Sequence, residues 1–268
     1  MNKIKLNNGI EIPLIGIGTN TFGKEGNLYH GEINFDIKEL EYAITNGYRL
    51  IDTAISYRNE AVIGKAITNA NIPRKDFIIT TKIPGGKGYL SNDEIDKAIN
   101  DSLKNLNTNY IDIVLMHHPW DNNLEMIKVY NYLETYVNKG IIKSLGVSNF
   151  NEEQLSLIIE NSKIKPSLNQ IASYPGNFQH NLINFSQKNS VAVQAWSPLN
   201  RTSDEAKDIL NKIGEKYNKT WAQVLLNYQV SRDVIVLPKS HRFEGQKENF
   251  DIFDFKLTKE EKEIVSKL

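Results

Sequence analysis

Eight short apolar runs alternate with longer amphipathic stretches along this chain of 268 residues. Most of the runs are nearly continuous in apolar residues, which is typical of parallel strands that are covered on both faces. They begin near Leu14, Tyr48, Phe77, Ile111, Ile142, Pro166, Val191 and Val234. Strands that alternate with helices predict an α/β fold with a parallel sheet and right-handed crossovers. Eight such units close into a (β/α)8 TIM barrel more naturally than they spread into an open sheet.

The segments between the runs carry helix signals. Ser91 with Glu94 forms a capping box, which predicts that a helix starts there. The gap before the last run is the longest and holds two helical patterns, Asp204–Tyr217 and Trp221–Ser231. We therefore expect extra helices near the C-terminus, in addition to those of a simple barrel.

A hairpin signal precedes the first barrel strand. The Asn8-Gly9 turn lies between two short apolar segments, Ile4–Leu6 and Ile10–Ile12, and predicts an N-terminal β-hairpin. No linker or low-complexity tract interrupts the chain after it. We therefore expect residues 1–268 to form a single barrel domain.

The composition argues against several classes of function. Lys and Arg together number 32, as do Asp and Glu, and the resulting zero net charge argues against a nucleic acid or an anionic membrane as partner. The absence of cysteine excludes disulfides and thiolate metal sites. An apolar stretch near the start, Ile10–Ile17, is interrupted by Glu11 and Pro13 and has no cleavage pattern after it. Because no run approaches the ~18 apolar residues that cross a bilayer, we expect a cytoplasmic protein.

Three familiar motifs fail on closer reading. Residues 16–18, Gly-Ile-Gly, follow a strand, but the third glycine of a dinucleotide-binding fingerprint would fall at Thr21. Residues 85–88, Gly-Gly-Lys-Gly, lack both the spacing and the Ser or Thr of a phosphate-binding loop. The His117-His118 pair has no third ligand at a convincing spacing, so we expect no metal.

Four polar side chains are expected at one end of the barrel. Asp52 ends the second strand, Lys82 the third and His117 the fourth. Tyr57 follows five residues after Asp52. Because the carboxyl ends of neighbouring parallel strands, about 4.8 Å apart, share one edge, these side chains can surround one point. Each one alone has an ordinary structural explanation, but together they favour an active site.

Acid–base catalysis is the chemistry that this group can perform. A free tyrosine, with a pKa of about 10, is a poor proton donor at neutral pH. We expect the Lys82 cation to lower the pKa of Tyr57, and a buried Asp52 to keep that lysine charged and oriented. His117 can donate a hydrogen bond to a carbonyl oxygen. None of the four can accept or give a hydride, so redox chemistry at this site requires a cofactor.

Residues 52–60, Asp-Thr-Ala-Ile-Ser-Tyr-Arg-Asn-Glu, resemble the signature of the aldo-keto reductase family. Further matching segments follow in the order of that family and extend over essentially the whole chain. They are Thr81-Lys82, Leu115-Met116-His117-His118-Pro119, Gly146-Val147-Ser148-Asn149-Phe150, Asn169-Gln170, Trp196-Ser197-Pro198-Leu199 and Leu237-Pro238-Lys239-Ser240. The resemblance implies a barrel that binds a nicotinamide cofactor in extended form across its upper face.

The resemblance also implies an activity and the residues that carry it. It implies an NADPH-dependent reductase of aldehydes and ketones, with Tyr57 as the general acid. Lys82 and Asp52 would tune that tyrosine, and His117 would orient the substrate carbonyl. The implied contacts to the cofactor are Gly18, Thr19, Asn20, Ser148, Asn149, Gln170, Trp196, Ser197, Leu199, Lys239, Ser240, Glu248 and Asn249.

One departure from the family concerns the 2′-phosphate of the cofactor. Lys239 and Ser240 align with the residues that hold this phosphate and distinguish NADPH from NADH. The family commonly places an arginine where this chain has Gly245. Arg242 lies three residues earlier, and it either replaces that arginine or is an ordinary exposed loop residue. The resemblance therefore implies NADPH as the cofactor, with NADH as an alternative.

The substrate is less clearly specified. Phe22, His118 and Trp120 are expected to line the mouth of the site and to suit small aromatic or aliphatic carbonyl compounds, with ordinary rim packing as the alternative for the two aromatic residues. Some members of the family that the chain resembles narrow their pockets with a long C-terminal loop, whereas this chain ends soon after the helix that begins near Thr258. The resemblance therefore implies an open site of broad specificity. The resemblance implies a monomer. Two other functions stay open: a nicotinamide-binding sensor or regulatory subunit with incidental turnover, and a metal-dependent hydrolase.

Overall fold

The computed structural model describes residues 2–86, 88 and 90–268. Within these residues, two strands form an N-terminal hairpin and eight form one parallel sheet. The hairpin strands are β1 (Lys3–Lys5) and β2 (Glu11–Pro13). The sheet strands are β3 (Ile17–Gly18), β4 (Leu50–Asp52), β5 (Ile78–Ile83), β6 (Ile111–Met116), β7 (Ile142–Ser148), β8 (Leu168–Ala172), β9 (Ala192–Trp196) and β10 (Val234–Leu237). Each predicted run thus gives a strand that starts within three residues of the expected point.

The first and last strands of the sheet meet and close it. Ile15 forms a parallel bridge with Val236, whose amide donates to the carbonyl of Leu14 over 2.9 Å. The amide of Gly16 donates in turn to the carbonyl of Val236, also over 2.9 Å. Together with neighbour-to-neighbour pairing in chain order around the sheet, this produces the predicted (β/α)8 TIM barrel.

Ten α-helices lie within the described residues, and most of them connect consecutive strands. They are α1 (Lys38–Thr45), α2 (Glu60–Asn69), α3 (Asn92–Asn105), α4 (Asn123–Asn138), α5 (Glu152–Asn161), α6 (His180–Lys188), α7 (Asp204–Glu215), α8 (Trp221–Val230), α9 (Phe243–Phe250) and α10 (Lys259–Ser266). The capping box of Ser91 and Glu94 starts α3 as predicted. Helices α7 and α8 confirm the double helical pattern before the last strand. No helix in this part of the chain is long and apolar enough to span a membrane.

The N-terminal hairpin forms as predicted, with Asn8 and Gly9 in its turn. The amide of Gly9 donates to the carbonyl of Leu6 over 2.9 Å, and the amide of Leu6 donates to the carbonyl of Ile10 over 2.8 Å. Residues 7–9 therefore form a three-residue loop in which Gly9 adopts a φ of +90°. That conformation suits glycine and is typical of a type I turn closed by a bulge.

The core explains why the strands are apolar on both faces. All six residues of β6 are buried, because one face points into the barrel and the other lies under the helices. Gly16, directly before β3, lets the chain lie close to β4 and β10. A Cβ atom at this position would lie 2.6 Å from Cγ of Leu50 and 2.8 Å from Cδ2 of Leu237. Gly16 thus serves strand packing. Of the glycine-rich stretch 85–88, Lys87 lies outside the described residues.

Candidate active site

A buried ion pair joins the ends of β4 and β5. Lys82 has an exposure of 0%, and its Nζ donates to both carboxylate oxygens of Asp52 over 2.7 and 2.9 Å, and to the carbonyl of Thr53 over 2.8 Å. Burial alone would lower the pKa of Lys82, but the charge and hydrogen bonds of Asp52 outweigh burial and raise it. The ammonium therefore stays charged inside the barrel, as predicted.

Tyr57 lies beside this pair. It ends the short 3-10 turn Ile55–Tyr57 that follows β4, and Arg58 closes the turn with a φ of +61°. Nζ of Lys82 lies 3.4 Å from Oη of Tyr57 and 4.8 Å from the centre of its ring. The sequence thus correctly predicted that Asp52, Lys82 and Tyr57 meet.

The expected direction of the pKa shift of Tyr57 is wrong. Burial raises the pKa of Tyr57 above its usual value, and the opposing effect of Lys82 is smaller. The carboxylate of Asp52 also raises it, because it offsets the field of the ammonium beside it. In the free protein Tyr57 is therefore protonated across the neutral range, which is the state a proton donor needs.

His117 follows β6 and completes the group. Its ring packs edge-on against that of Tyr57 with 5.6 Å between centroids, and its Nδ1 lies 3.2 Å from Oγ of Ser56. Burial first, and then the charges of Lys82 and His118, lower the pKa of His117 to about 3. His117 is therefore a neutral imidazole at physiological pH, with Nε2 left to face a ligand. Sequence analysis missed Ser56, although it directly precedes Tyr57.

Asp52, Tyr57 and His117 border a cavity of about 590 Å³ at the carboxyl ends of the strands, whereas Lys82 lies outside its lining. Most of the residues predicted for the site line it. The lining consists of Gly18, Thr19, Asn20, Asp52, Tyr57, His117, His118, Ser148, Asn149, Gln170, Trp196, Ser197, Pro198, Leu199, Asn200, Leu237, Pro238 and Lys239. Pro198 and Asn200 were not predicted as site residues, although both lie in the loop that follows β9.

One side of the cavity is a hydrogen-bonded wall. Nε1 of Trp196 donates to Oδ1 of Asn149 over 2.9 Å, and Nδ2 of Asn149 donates to the carbonyl of His117 over 3.1 Å. Nε2 of Gln170 donates to Oδ2 of Asp52 over 2.7 Å, which links this wall to the ion pair. An indole ring, amide groups and the hydroxyl of Ser148 therefore face one space.

The segment that follows β10 contributes a cation to the cavity. Nζ of Lys239 donates to Oδ1 of Asn20 and Oγ1 of Thr21, each over 2.9 Å. Within the described residues its hydrogen-bond partners are neutral oxygens, so its charge can serve an anionic ligand.

Four predicted cofactor contacts, which follow Lys239 in the sequence, lie outside the cavity lining. Oγ of Ser240 accepts from the amide of Arg242 over 3.1 Å, directly before α9. The Arg242 side chain is exposed, whereas Glu248 is half-buried and Asn249 buried, both within α9.

Two of the three predicted substrate residues lie elsewhere. Phe22 is fully buried in the core and packs edge-on against His241, with 5.1 Å between ring centroids. Trp120 is 3% exposed, and its Nε1 donates to the carbonyl of Gly88 over 2.6 Å. Burial of an aromatic ring stabilises the fold more than exposure at the entrance of the cavity would, and both rings are buried. Their assignment to the substrate site is therefore wrong. His118 does line the cavity.

The paired histidines do not form a metal site. The rings of His117 and His118 stack in parallel, 4.8 Å apart, and so do not converge on one point. Nδ1 of His118 lies 3.2 Å from Nδ2 of Asn149. Among the residues that the structure describes, no group of three His, Cys, Asp or Glu side chains could hold an ion.

Comparison with known proteins places this geometry in a family. Residues 14–268 match the model of the Aldo/keto reductase family. Methylglyoxal reductase DkgA of Yersinia pestis is 34% identical over 99% of this chain and 92% of its own length, and glyoxal reductase of Bacillus subtilis is 33% identical over the same shares. A crystal structure of a Bombyx mori aldo-keto reductase in complex with NADP has a TM-score of 0.87 and 32% identity over 98% of this chain and 91% of that one. The chain therefore belongs to the aldo-keto reductase family.

Proposed function

We propose that this chain reduces small aldehydes and ketones, short dicarbonyl compounds among them, with NADPH and with Tyr57 as the proton donor. Because the chain is a member of the family, it is an NADP-dependent carbonyl oxidoreductase. The proposal that Tyr57 donates the proton is supported by the ammonium of Lys82. Asp52 fixes this ammonium 3.4 Å from the Tyr57 hydroxyl, at the edge of the cavity.

The residues around the cavity fit a nicotinamide dinucleotide. An aromatic ring at Trp196 with the polar groups of Ser148 and Asn149 suits a nicotinamide and its carboxamide, and the Lys239 cation suits a phosphate. When bound, the reduced cofactor supplies the hydride. The protein then has to orient the carbonyl group and deliver one proton.

Orientation and proton delivery fall to two side chains. Nδ1 of His117 is in contact with Ser56, so Nε2 is available to donate a hydrogen bond to the carbonyl oxygen. Oη of Tyr57 gives its proton to that same oxygen as the hydride reaches the carbon, which completes an alcohol. The phenolate that remains is stabilised by the adjacent ammonium of Lys82.

Short dicarbonyls are the first compounds to test. The similar proteins from Yersinia pestis and Bacillus subtilis are named as reductases of methylglyoxal and glyoxal. The cavity of this chain carries many polar groups, among them Asn20, His118 and Asn149, which can bind a second oxygen atom next to the reacting carbonyl.

The direct test is an assay of the purified chain with methylglyoxal. We expect the absorbance of NADPH to fall in proportion to the alcohol formed. Tight NADPH binding with negligible turnover of methylglyoxal, glyoxal and a panel of aryl aldehydes would contradict the proposal. It would favour a nicotinamide-binding sensor instead.

Arg242 is proposed to replace the missing arginine at Gly245. A Cβ atom on Gly245 would lie 2.5 Å from Oγ of Ser240 and 3.5 Å from Nη2 of Arg242, so the guanidinium already occupies the space beside this glycine. A guanidinium suits bidentate contact with a phosphate. We therefore propose that Arg242 and Lys239 together hold the 2′-phosphate and favour NADPH over NADH.

Arg242→Ala should raise the Kd of NADPH about 10-fold and leave the Kd of NADH unchanged, because only NADPH carries the 2′-phosphate. Quenching of tryptophan fluorescence measures both constants without turnover. Lys212→Ala, which removes a charge from the exposed side of α7, is the control for net charge. Equal weakening of both cofactors would show that Arg242 does not contact this phosphate.

A further inference from the structure

The loop between β3 and α1 is folded rather than irregular. Lys24 and Ile33 form an antiparallel bridge, the amide of Glu25 donates to the carbonyl of Glu32 over 2.9 Å, and the amide of Asn34 donates to the carbonyl of Gly23 over 2.9 Å. We name residues 23–34 the β3–α1 loop. It follows the strand that leads into the cavity.

A buried cation holds the tip of this loop. Lys24 is 1% exposed, its Nζ donates to the carbonyl of Tyr29 over 2.6 Å, and the same atom lies 4.8 Å from the centre of the Tyr29 ring. No carboxylate lies within 4.0 Å of Nζ in the part of the chain that the structure describes. Burial of an ammonium is costly, and both contacts of this one fix the same residue. Lys24 therefore positions Tyr29.

Tyr29 stands against the catalytic group. Its ring packs edge-on against that of Tyr57, with 6.0 Å between centroids and 77° between planes. Its Oη lies 3.4 Å from the carbonyl oxygen of Ser56, the residue whose Oγ meets Nδ1 of His117. Nη2 of Arg58 also donates to the carbonyl of Gly31 over 3.1 Å. The loop is thus attached to the segment that carries the proton donor.

Part of Tyr29 stays open to solvent beside the catalytic group. The residue is 37% exposed although it contacts Lys24, Ser56 and Tyr57. Tyr57 and His117 line the cavity, and the exposed Tyr29 packs against Tyr57 just outside that lining. A substrate substituent that extends past Tyr57 on this side would meet the Tyr29 ring and its hydroxyl.

We propose that Tyr29 is a specificity-determining residue of the substrate site and that Lys24 is its positioning residue. This inference rests on the proposed carbonyl reduction. The Tyr29 ring limits the size of the substituent, and the Tyr29 hydroxyl offers a hydrogen bond to an oxygen on the neighbouring carbon. The site therefore selects short carbonyl compounds that carry such an oxygen, dicarbonyls and hydroxycarbonyls, over bulky aryl aldehydes.

The test compares kcat/KM for methylglyoxal and for 2-naphthaldehyde, with NADPH. Tyr29→Ala should shift the ratio about 10-fold towards 2-naphthaldehyde, mainly through KM, because it removes one wall of the pocket. Tyr29→Phe, which keeps the ring, should lower kcat/KM for methylglyoxal without a gain for the aryl aldehyde. Phe35→Ala is the control, because its exposed ring meets Lys65 rather than Tyr57.

Lys24→Met separates a positioning role from a structural one. It should shift the ratio in the same direction as Tyr29→Ala, and the double variant should shift it no further, because Lys24 acts through Tyr29. If Lys24→Met does not fold, the two Tyr29 variants still decide. A wild-type protein that reduces neither compound would overturn the proposed function. An active wild type with the same ratio in Tyr29→Ala as in Phe35→Ala would overturn this inference alone.

Discussion

Replacing Tyr57 with phenylalanine should lower kcat/KM for carbonyl reduction by a factor of about 100 or more. The substitution removes one oxygen atom and keeps the ring that packs against His117. Lys82 retains its hydrogen bonds to Asp52 and Thr53, so the fold and the NADPH site should persist. The loss is therefore expected in turnover, with the Kd of NADPH within a factor of two of the wild type.

Tyr110→Phe is the matched control for this experiment. Its hydroxyl is buried without a hydrogen-bond partner among the described residues, and it precedes β6 at the opposite end of the barrel. It should leave kcat/KM unchanged. Full activity in Tyr57→Phe would mean that another group supplies the proton, and the proposed mechanism would be wrong.

The pH profile of the same assay tests the two protonation states. His117, with a pKa of about 3, and Tyr57, with a pKa above its usual value, should each keep one state between about pH 5 and 8. The log of kcat/KM should therefore be nearly flat over this range. An inflection near pH 6.5 that is lost in His117→Gln would show that the imidazole titrates during turnover.

The arrangement of the catalytic group could be predicted from the sequence because barrel geometry is strongly restrictive. Asp52 pairs with Thr80, and Lys82 with Leu115, in the parallel register of β4, β5 and β6. Once three runs are identified as neighbouring parallel strands, their carboxyl ends must share one edge. The side chains at those ends can then come together in any conformation of the loops.

Other features depend on geometry that no sequence pattern encodes. An aromatic residue just beyond a strand can turn inwards or outwards, and Phe22 turns into the core. The net shift of the Tyr57 pKa is a balance of burial against two opposite charges at particular distances. Tyr29 lies in a loop without hydrophobic periodicity, so its contact with Tyr57 could not be predicted from the sequence.

Removing the cation of the buried ion pair should strongly destabilise the protein. Lys82→Met leaves the carboxylate of Asp52, 3% exposed, with Gln170 as a remaining hydrogen-bond donor. Loss of one partner of a buried pair typically costs about 3–5 kcal/mol of the free energy of unfolding. Urea denaturation at pH 7 measures this change. Lys267→Met, which breaks an exposed pair with Glu263 of 2.8 Å, should stay near the wild type.

The double variant Asp52→Asn with Lys82→Met separates stability from catalysis. It removes both charges and keeps an amide where the carboxylate was, so it should recover about 2 kcal/mol or more relative to Lys82→Met. Turnover should not recover with it, because no ammonium remains to stabilise the phenolate of Tyr57. If Lys82→Met had the stability of the wild type, the carboxylate of Asp52 would not be an uncompensated buried charge in the variant, and this prediction would be wrong. Recovery of turnover in the double variant would show that the Tyr57 hydroxyl transfers its proton without the ammonium beside it.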